Sequence, residues 1–303
     1  MALNLHALRL FAAVARHRSF SRAAEALHIS QPAVSKTVRE FELQIGERLL
    51  ERGIPGGVGL TAAGARLMQH ANALFAAEAA AEQELAERRG LRAGSLSIGA
   101  STTIATYLLA PVLSAFHQSH PQVALALASA NTADIVTRLL ARELDVALVE
   151  GPVDDPAITV TPWRTDEMAL IAAPFHRLAM AAPIAPADLS TEVMLLREPG
   201  SGTREVVLDA MRRAGITPGQ LLEIEGTETE KQLVASGFGV AIVSKAAARD
   251  QIALGRLQVV AVHGFSLHRT LSRLDLPGRQ PSSAAAAFGK LLDSYAEWSA
   301  RRA

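Results

Sequence analysis

The chain has 303 residues, no cysteine, and 30 basic residues against 30 acidic ones. That length allows two or three domains. An apolar fraction of 49% with 20% charged residues supports a sizeable core and excludes a disordered chain. The missing cysteines exclude disulfide frameworks, thiolate metal sites and thiol nucleophiles.

No stretch approaches the ~20 apolar residues that a membrane-spanning helix needs. Met1 to His6 shows no charged export signal, so the expected location is cytoplasmic. The zero net charge is a cancellation. Residues 1–60 carry 8 basic and 5 acidic residues, 61–93 carry 4 of each, and 94–303 carry 18 and 21. A basic head on a mildly acidic body makes nucleic acid an admissible partner.

In chain order, the head reads as helices. Leu5, Leu8, Phe11, Ala12 and Ala15 recur at helical spacing. Ser19 or Ser21 caps a second helix with Ala23, Ala24 and Leu27 on one face. After a break at His28-Ile29, Ser30 caps a third helix that tolerates Pro32 in its first turn and turns Val34, Val38 and Phe41 inward. Two short helices joined by about three residues form a helix-turn-helix. Gly53 to Gly59 cannot be a helix and reads as a hairpin or wing. From Thr61, an Ala-rich segment has no glycine or proline between Gly64 and Gly90. Those 25 residues would span ~37 Å as a helix. We expect a linker and dimerisation helix over 61–93, with a hinge at Arg88 to Gly94.

The body alternates strands and helices. Strands are expected at Leu96–Gly99, Val123–Leu127, Val146–Val149, Ala169–Ala172, Val193–Leu196, Leu222–Ile224 and Val240–Val243. Helices are expected at Ile104–His117, Thr132–Arg142, Gly202–Ala214, Glu228–Ser236 and Ser282–Arg301. This alternation argues for α/β layers with largely parallel sheets. One large sheet is possible; two similar lobes around a cleft are the more natural division.

The third helix presents Gln31, Ser35, Lys36 and Arg39 on its polar side. Gln reads adenine edges, and Lys reads guanine or holds phosphate. Ser30 and Arg39 suit phosphate contacts. Each residue alone is equally an ordinary solvated position. Together, the run Ser19-Phe20-Ser21-Arg22-Ala23-Ala24-Glu25-Ala26-Leu27-His28-Ile29-Ser30-Gln31-Pro32-Ala33-Val34-Ser35-Lys36 closely resembles the signature of LysR-type transcriptional regulators. Leu43 to Arg52 and then Leu60-Thr61-Ala62-Ala63-Gly64 match its spacing.

The resemblance implies an N-terminal winged helix-turn-helix (1–60), a long linker helix (61–93) and a C-terminal two-lobed α/β domain (94–303) like type 2 periplasmic binding proteins. Lobe I would comprise about 94–162 and 267–303, and lobe II about 163–266. It also implies promoter DNA, self-association to a homotetramer and RNA polymerase as partners. Gln31, Pro32, Ser35 and Lys36 would then meet the major groove, with Ser30 and Arg39 nearer phosphate. The wing departs from the family pattern, because Arg52 is its one basic residue before Gly56-Gly57-Val58-Gly59.

Leu196-Arg197-Glu198-Pro199-Gly200-Ser201-Gly202-Thr203-Arg204 lies between a strand and a helix. Gly200 and Gly202 free backbone N–H groups at a helix N-terminus. Ser201 and Thr203 add hydroxyls, and Arg204 adds charge. Such a nest suits a small anion, although a tight capped turn explains the same residues. The Gly-Lys-Ser/Thr ending of a P-loop is absent. Ser101, Thr102 and Thr103 open a helix after the first body strand; Asn131-Thr132 and Thr227 begin two more. Four helix starts converging on one cleft would bind a carboxylate or oxyanion effector.

The Arg197 to Arg204 stretch resembles the branch of the family that controls sulfur assimilation and carbon fixation. That implies sulfite, sulfate-like, phosphorylated or carboxylate effectors, with no metal or other cofactor. His117 and His120 read as helix-end residues rather than metal ligands, and Asp154-Asp155 and Asp166-Glu167 as solvated pairs. No nucleophile–base set is readable, so no catalysis is expected. The alternative is a two-lobed small-anion-binding protein or enzyme without a DNA role.

Overall fold

In a computed structural model of the chain, residues 3–54, 57–88, 94–277 and 280–300 are described. They fall into two compact units, residues 1–85 and 86–303.

The first unit opens with α1 (Leu5–His17), α2 (Phe20–Ala26) and α3 (Gln31–Ile45). Each start is capped by a side-chain oxygen that accepts from a first-turn N–H: Asn4 from Ala7 (3.1 Å), Ser19 from Arg22 (3.3 Å) and Ser30 from Ala33 (3.4 Å). Gly46, at φ 79°, ends α3. Leu8, Phe11, Val34, Val38 and Phe41 form the core of this trihelical unit.

The antiparallel pair β1 (Leu50–Ile54) and β2 (Gly57–Leu60) forms the wing. Pro55 and Gly56 lie outside the described residues. Glu42 fastens the wing to α3 by accepting from the Leu49 and Leu50 N–H groups at 2.8 and 3.0 Å. Helix α4 (Ala62–Arg88) follows. Thr61 caps it at 3.0 Å and donates back to the Arg48 carbonyl at 2.8 Å. Of the hinge expected at Arg88 to Gly94, residues 89–93 lie outside the described residues.

The second unit is two lobes on one continuous hydrogen-bonded sheet. Its first part contains β3 (Ser95–Ser101), β4 (Ala124–Ala130) and β5 (Val146–Glu150), all parallel. Its second part contains β7 (Val193–Arg197), β8 (Gln220–Ile224) and β9 (Val240–Ser244), also parallel. Between them run two long strands, β6 (Thr159–Ala172) and β11 (Leu267–Asp275), paired antiparallel from Met168↔Leu267 to Thr159↔Asp275. The order is β4-β3-β5-β11-β6-β9-β7-β8, with the short β10 (Gln258–Val259) on β6.

The sheet is therefore mixed, which corrects the largely parallel expectation. The chain crosses between lobes twice on extended backbone, and two oppositely directed crossings pair antiparallel.

Helices α5 (Ala110–Ser119), α6 (Thr132–Leu140) and α11 (Ser283–Ala300) cover the first lobe. Helices α7 (Arg177–Ala181), α8 (Gly202–Arg213), α9 (Thr227–Ala235) and α10 (Lys245–Ala253) cover the second. The helix expected over Ile104–His117 is interrupted. A π-type turn occupies Ile104–Leu108, and α5 starts afresh at Ala110, because Pro111 has no N–H to continue the ladder. Phe116 and Phe288 meet edge to face at 5.3 Å in the first lobe's core. The Trp163 indole donates to the Leu292 carbonyl at 3.1 Å.

Candidate functional site

Helix α3 turns its apolar stripe into the head core, so its other side is free. Gln31, Pro32, Lys36 and Arg39 are exposed, Ser35 is half-buried and Ser30 is the exposed cap. The Lys36 ammonium pairs with Glu40 at 3.9 Å, one helical turn on. An exposed pair of this kind is weak and screened by salt, so Lys36 is available to another partner. The Arg52 side chain lies outside the described ones.

The lobes of the second unit meet backbone to backbone. A Cβ on Gly202 would lie 1.6 Å from the Glu150 carbonyl oxygen, so only glycine lets α8 start there. The Ala133 N–H, in the first turn of α6, donates to the Gly200 carbonyl at 3.1 Å. Thr132 donates its hydroxyl to the Glu150 carbonyl at 2.9 Å.

Around this contact lies a buried ionic junction. Glu150 Oε1 accepts from Thr103 (3.1 Å) and Thr203 (2.9 Å), one hydroxyl from each lobe. Arg269 on β11 donates to Thr203 Oγ1 at 2.7 Å and to Asp166 Oδ2 at 2.8 Å. Its Nη2 stands 3.3 Å from Glu150 Oε2, misaligned for a hydrogen bond. Ser244 donates to Asp166 Oδ1 at 2.8 Å. Asp166 is thus buried and paired, not the solvated carboxylate expected from its neighbour Glu167. Its place on β6, opposite Arg269, accounts for that.

A second charged layer adjoins the first. Arg197, at the end of β7, grips Glu198 through two bonds of 2.7 and 2.8 Å and donates to Thr227 at 2.8 Å. Burial opposes its charge, but the Glu198 carboxylate outweighs this and holds Arg197 above its ordinary value. Burial likewise works against ionised Glu198, and Arg197 overrides it, holding that carboxyl below its usual range.

Buried Lys231 donates to the Ala247 carbonyl at 2.6 Å, pairs with Glu228 at 2.7 Å and sits 4.6 Å from the centre of the Tyr107 ring. The Tyr107 hydroxyl, from the first lobe, donates to Glu228 in the second. Burial and that carboxylate push the Tyr107 hydroxyl well above its ordinary range. Glu230 is 2% exposed, and its Oε2 has no hydrogen-bond partner. Burial pushes its carboxyl up to about 8, against the pull of Arg197.

All four helix starts singled out in the sequence are connected through this region. Their hydroxyls are not equally free. Thr102 donates to the Ala130 carbonyl at 3.3 Å, and Asn131 caps α6 by accepting from Asp134 at 3.0 Å. Thr103, Thr132, Thr203 and Thr227 are committed to Glu150 or Arg197, as above. Thr203 is therefore a joint between lobes rather than an open donor.

Arg204 also departs from the anion-nest reading. It points to the β7–β8 side, donating to the Arg197 carbonyl at 2.6 Å and reaching Glu223 at 3.3 Å. Ser101 and Ser201, one from each lobe and 1% and 2% exposed, are different. Their hydroxyls are buried with no hydrogen-bond partner. Sequence reasoning missed Glu150, Arg197, Glu230, Lys231 and Arg269. One signal was available: Arg269 holds an inward position between Leu267 and Leu271 in a period-two run.

Among the described residues no group of three or more His, Asp or Glu could hold a metal ion. No helix among them is long and apolar enough to cross a membrane.

A winged helix-turn-helix joined to a two-lobed ligand-binding unit defines a ligand-responsive DNA-binding protein. Two family models match: residues 5–65 fit the bacterial regulatory helix-turn-helix protein of the lysR family, and residues 89–297 fit the LysR substrate binding domain. The chain belongs to the LysR family of transcriptional regulators, which are DNA-binding and non-catalytic.

It is 33% identical to a RuBisCO operon transcriptional regulator of Allochromatium vinosum, over 98% of this chain and 97% of that one. It is similar to the Synechocystis CcmR regulatory domain in complex with 2-PG, with TM-score 0.63 and 26% identity over 67% of this chain and 98% of that one. A full-length OxyR variant from Pseudomonas aeruginosa shares the fold, with TM-score 0.76 and 24% identity over 98% of this chain and 95% of the other. The chain is thus a LysR-family DNA-binding regulator with an effector-binding cleft, related to regulators of carbon-fixation genes.

Proposed function

We propose that the chain binds promoter DNA as a dimer of dimers and changes its hold on that DNA when a small anionic effector enters the interlobe cleft. Residues 1–60 form the DNA-binding part, 61–93 the dimerising linker and 94–303 the effector domain. Gln31, Pro32, Ser35 and Lys36 read the major groove, Ser30 and Arg39 hold phosphate, and Arg52 is the wing's DNA-binding residue. The protein works in the cytoplasm with RNA polymerase as its further partner.

The observation that carries the effector reading is the pair of partnerless buried hydroxyls, Ser101 and Ser201. They stand at helix starts from opposite lobes, either side of the Thr103–Glu150–Thr203 bridge. First-turn N–H groups of α8 lack intrahelical partners and favour negative charge. An oxyanion there joins both lobes. The complex of the related CcmR domain with 2-PG supports an anion of that size.

The test is a gel shift on the chain's own upstream intergenic DNA, with and without candidate anions, at two salt concentrations. Site-selective binding that a ligand alters is the expected result. Absence of selective, salt-sensitive binding refutes the regulator reading. Sedimentation of the full chain tests the assembly, and a monomer at micromolar concentration refutes it.

A further inference from the structure

The interlobe junction holds more acidic side chains than basic ones. Around the interlobe junction stand five acids, Glu150, Asp166, Glu198, Glu228 and Glu230, and three cations, Arg197, Lys231 and Arg269. Every one of these cations already has a carboxylate partner: Arg197 has Glu198, Lys231 has Glu228, and Arg269 has Asp166. Arg204, the remaining basic residue of the Gly-Ser-Gly stretch, is turned toward Glu223. Arg269 Nη2, misaligned with Glu150 Oε2, is a buried N–H without a hydrogen-bond partner, so these three cations offer an anion one spare donor and no unpaired charge.

The partnerless buried atoms point the same way. Ser101 Oγ and Ser201 Oγ suit an anionic end, together with the helix starts. Glu230 Oε2 lacks a partner, and Glu150 Oε2 has only a misaligned one; a carboxylate oxygen accepts and asks for a donor. Glu230 lies within electrostatic reach of Arg197, Glu198 and Arg269, so it belongs to the same charged shell as the Thr203–Glu150 bridge. A buried acceptor without a donor is costly, and a matched donor removes that cost.

We infer that the cleft's ligand is a zwitterion, a small acid that also carries an ammonium group, with its anionic end at Ser101 and Ser201 and its ammonium against Glu230. This rests on an effector entering the cleft, as proposed above, and replaces the plain anion with an acid that is also an amine. A ligand of this class adds no net charge to a region already rich in carboxylate. A bare dianion such as sulfate would add two more negative charges. The buried Glu230 carboxyl holds its proton up to about 8, because burial outweighs the pull of Arg197 and Arg269. An arriving ammonium draws that carboxyl down, and binding releases a proton.

The experiment is a thermal-shift screen of the full chain, followed by calorimetry on the hits. One arm holds the twenty common amino acids. The other holds amine-free acids (acetate, lactate, succinate, 2-PG) with inorganic sulfate and phosphate. The expected result is a hit confined to the first arm. Glu230→Gln should weaken it at least tenfold, Ser101→Ala with Ser201→Ala should weaken it as well, and the binding heat should change with the buffer's ionisation enthalpy.

Binding in the amine-free arm alone overturns the zwitterion and leaves the effector cleft standing. An amino acid that binds wild type and Glu230→Gln equally also overturns it. No binding in either arm sinks both readings.

Discussion

Replacing Glu230 by Gln tests the buried charge balance without any ligand. The carboxyl moves from its ordinary 4.5 in the unfolded chain to about 8 in the folded one, with burial as the main cause. Between those values the folded chain binds more protons than the unfolded chain. Stability therefore falls as pH rises through that window. At about 1.4 kcal/mol per pH unit, the distance from 4.5 to about 8 sets a ceiling of about 5 kcal/mol on the loss. Gln keeps the shape and does not titrate.

Wild type and Glu230→Gln should thus melt together near pH 4.5 and separate steadily up to about pH 8, with the variant more stable. At roughly 2–4 °C per kcal/mol for a unit of this size, that ceiling corresponds to a gap of at most about 10–20 °C at pH 9. Differential scanning fluorimetry of both full-length proteins from pH 4.5 to 9 reads this directly. Other titrating groups move both curves alike and cancel in the difference. Melting curves that stay parallel within about 2 °C would show that Glu230 ionises normally and would refute its reading as a buried carboxyl that holds its proton.

Thr203→Val removes the hydroxyl that donates to Glu150 and accepts from Arg269. Leaving buried charged partners short by one bond should cost about 1–3 kcal/mol, read as a lower melting temperature. Gly202→Ala places a Cβ 1.6 Å from the Glu150 carbonyl and must part the lobes at that point. It should cost about 3 kcal/mol or more and abolish the effector response in a gel shift, whereas an unchanged melting temperature would contradict the backbone contact. Lys36→Ala should weaken binding to the cognate site by roughly ten- to a hundredfold and binding to random DNA much less. Equal losses on both would reduce Lys36 to a phosphate contact.

Much of the architecture is readable residue by residue. Ser30, Pro32 and the Val34–Val38–Phe41 stripe announce α3, because caps and helical periodicity are local signals. Gly202 and Thr227 mark two helix starts for the same reason. The long crossing strands are harder to see. Thr159 to Arg164 contains Pro162 and carries no apolar alternation, and it is a strand because β11 pairs with it. The ionic junction was the least legible part. Arg269 meets Asp166 from 103 positions away and Thr203 from 66. Neither partner differs from a surface residue until the sheet brings them together. Hydroxyls at helix starts were visible, but which of them are already engaged depends on contacts made across the lobes.

The path of the chain through the sheet has a consequence for its synthesis. The two apolar cores of the second lobe draw only on residues between Met168 and Leu267. They can close as soon as that stretch has emerged from the ribosome. The first lobe cannot. Its strands appear first, but Leu96, Ile98 and Phe116 are covered by Phe288 and Leu292 from the last helix. The part of the second unit made earliest is therefore completed last, and its apolar faces wait through most of translation for a cover from the far end of the chain. A chain ending before Ser283 would keep the second lobe's cores intact while leaving the first lobe open.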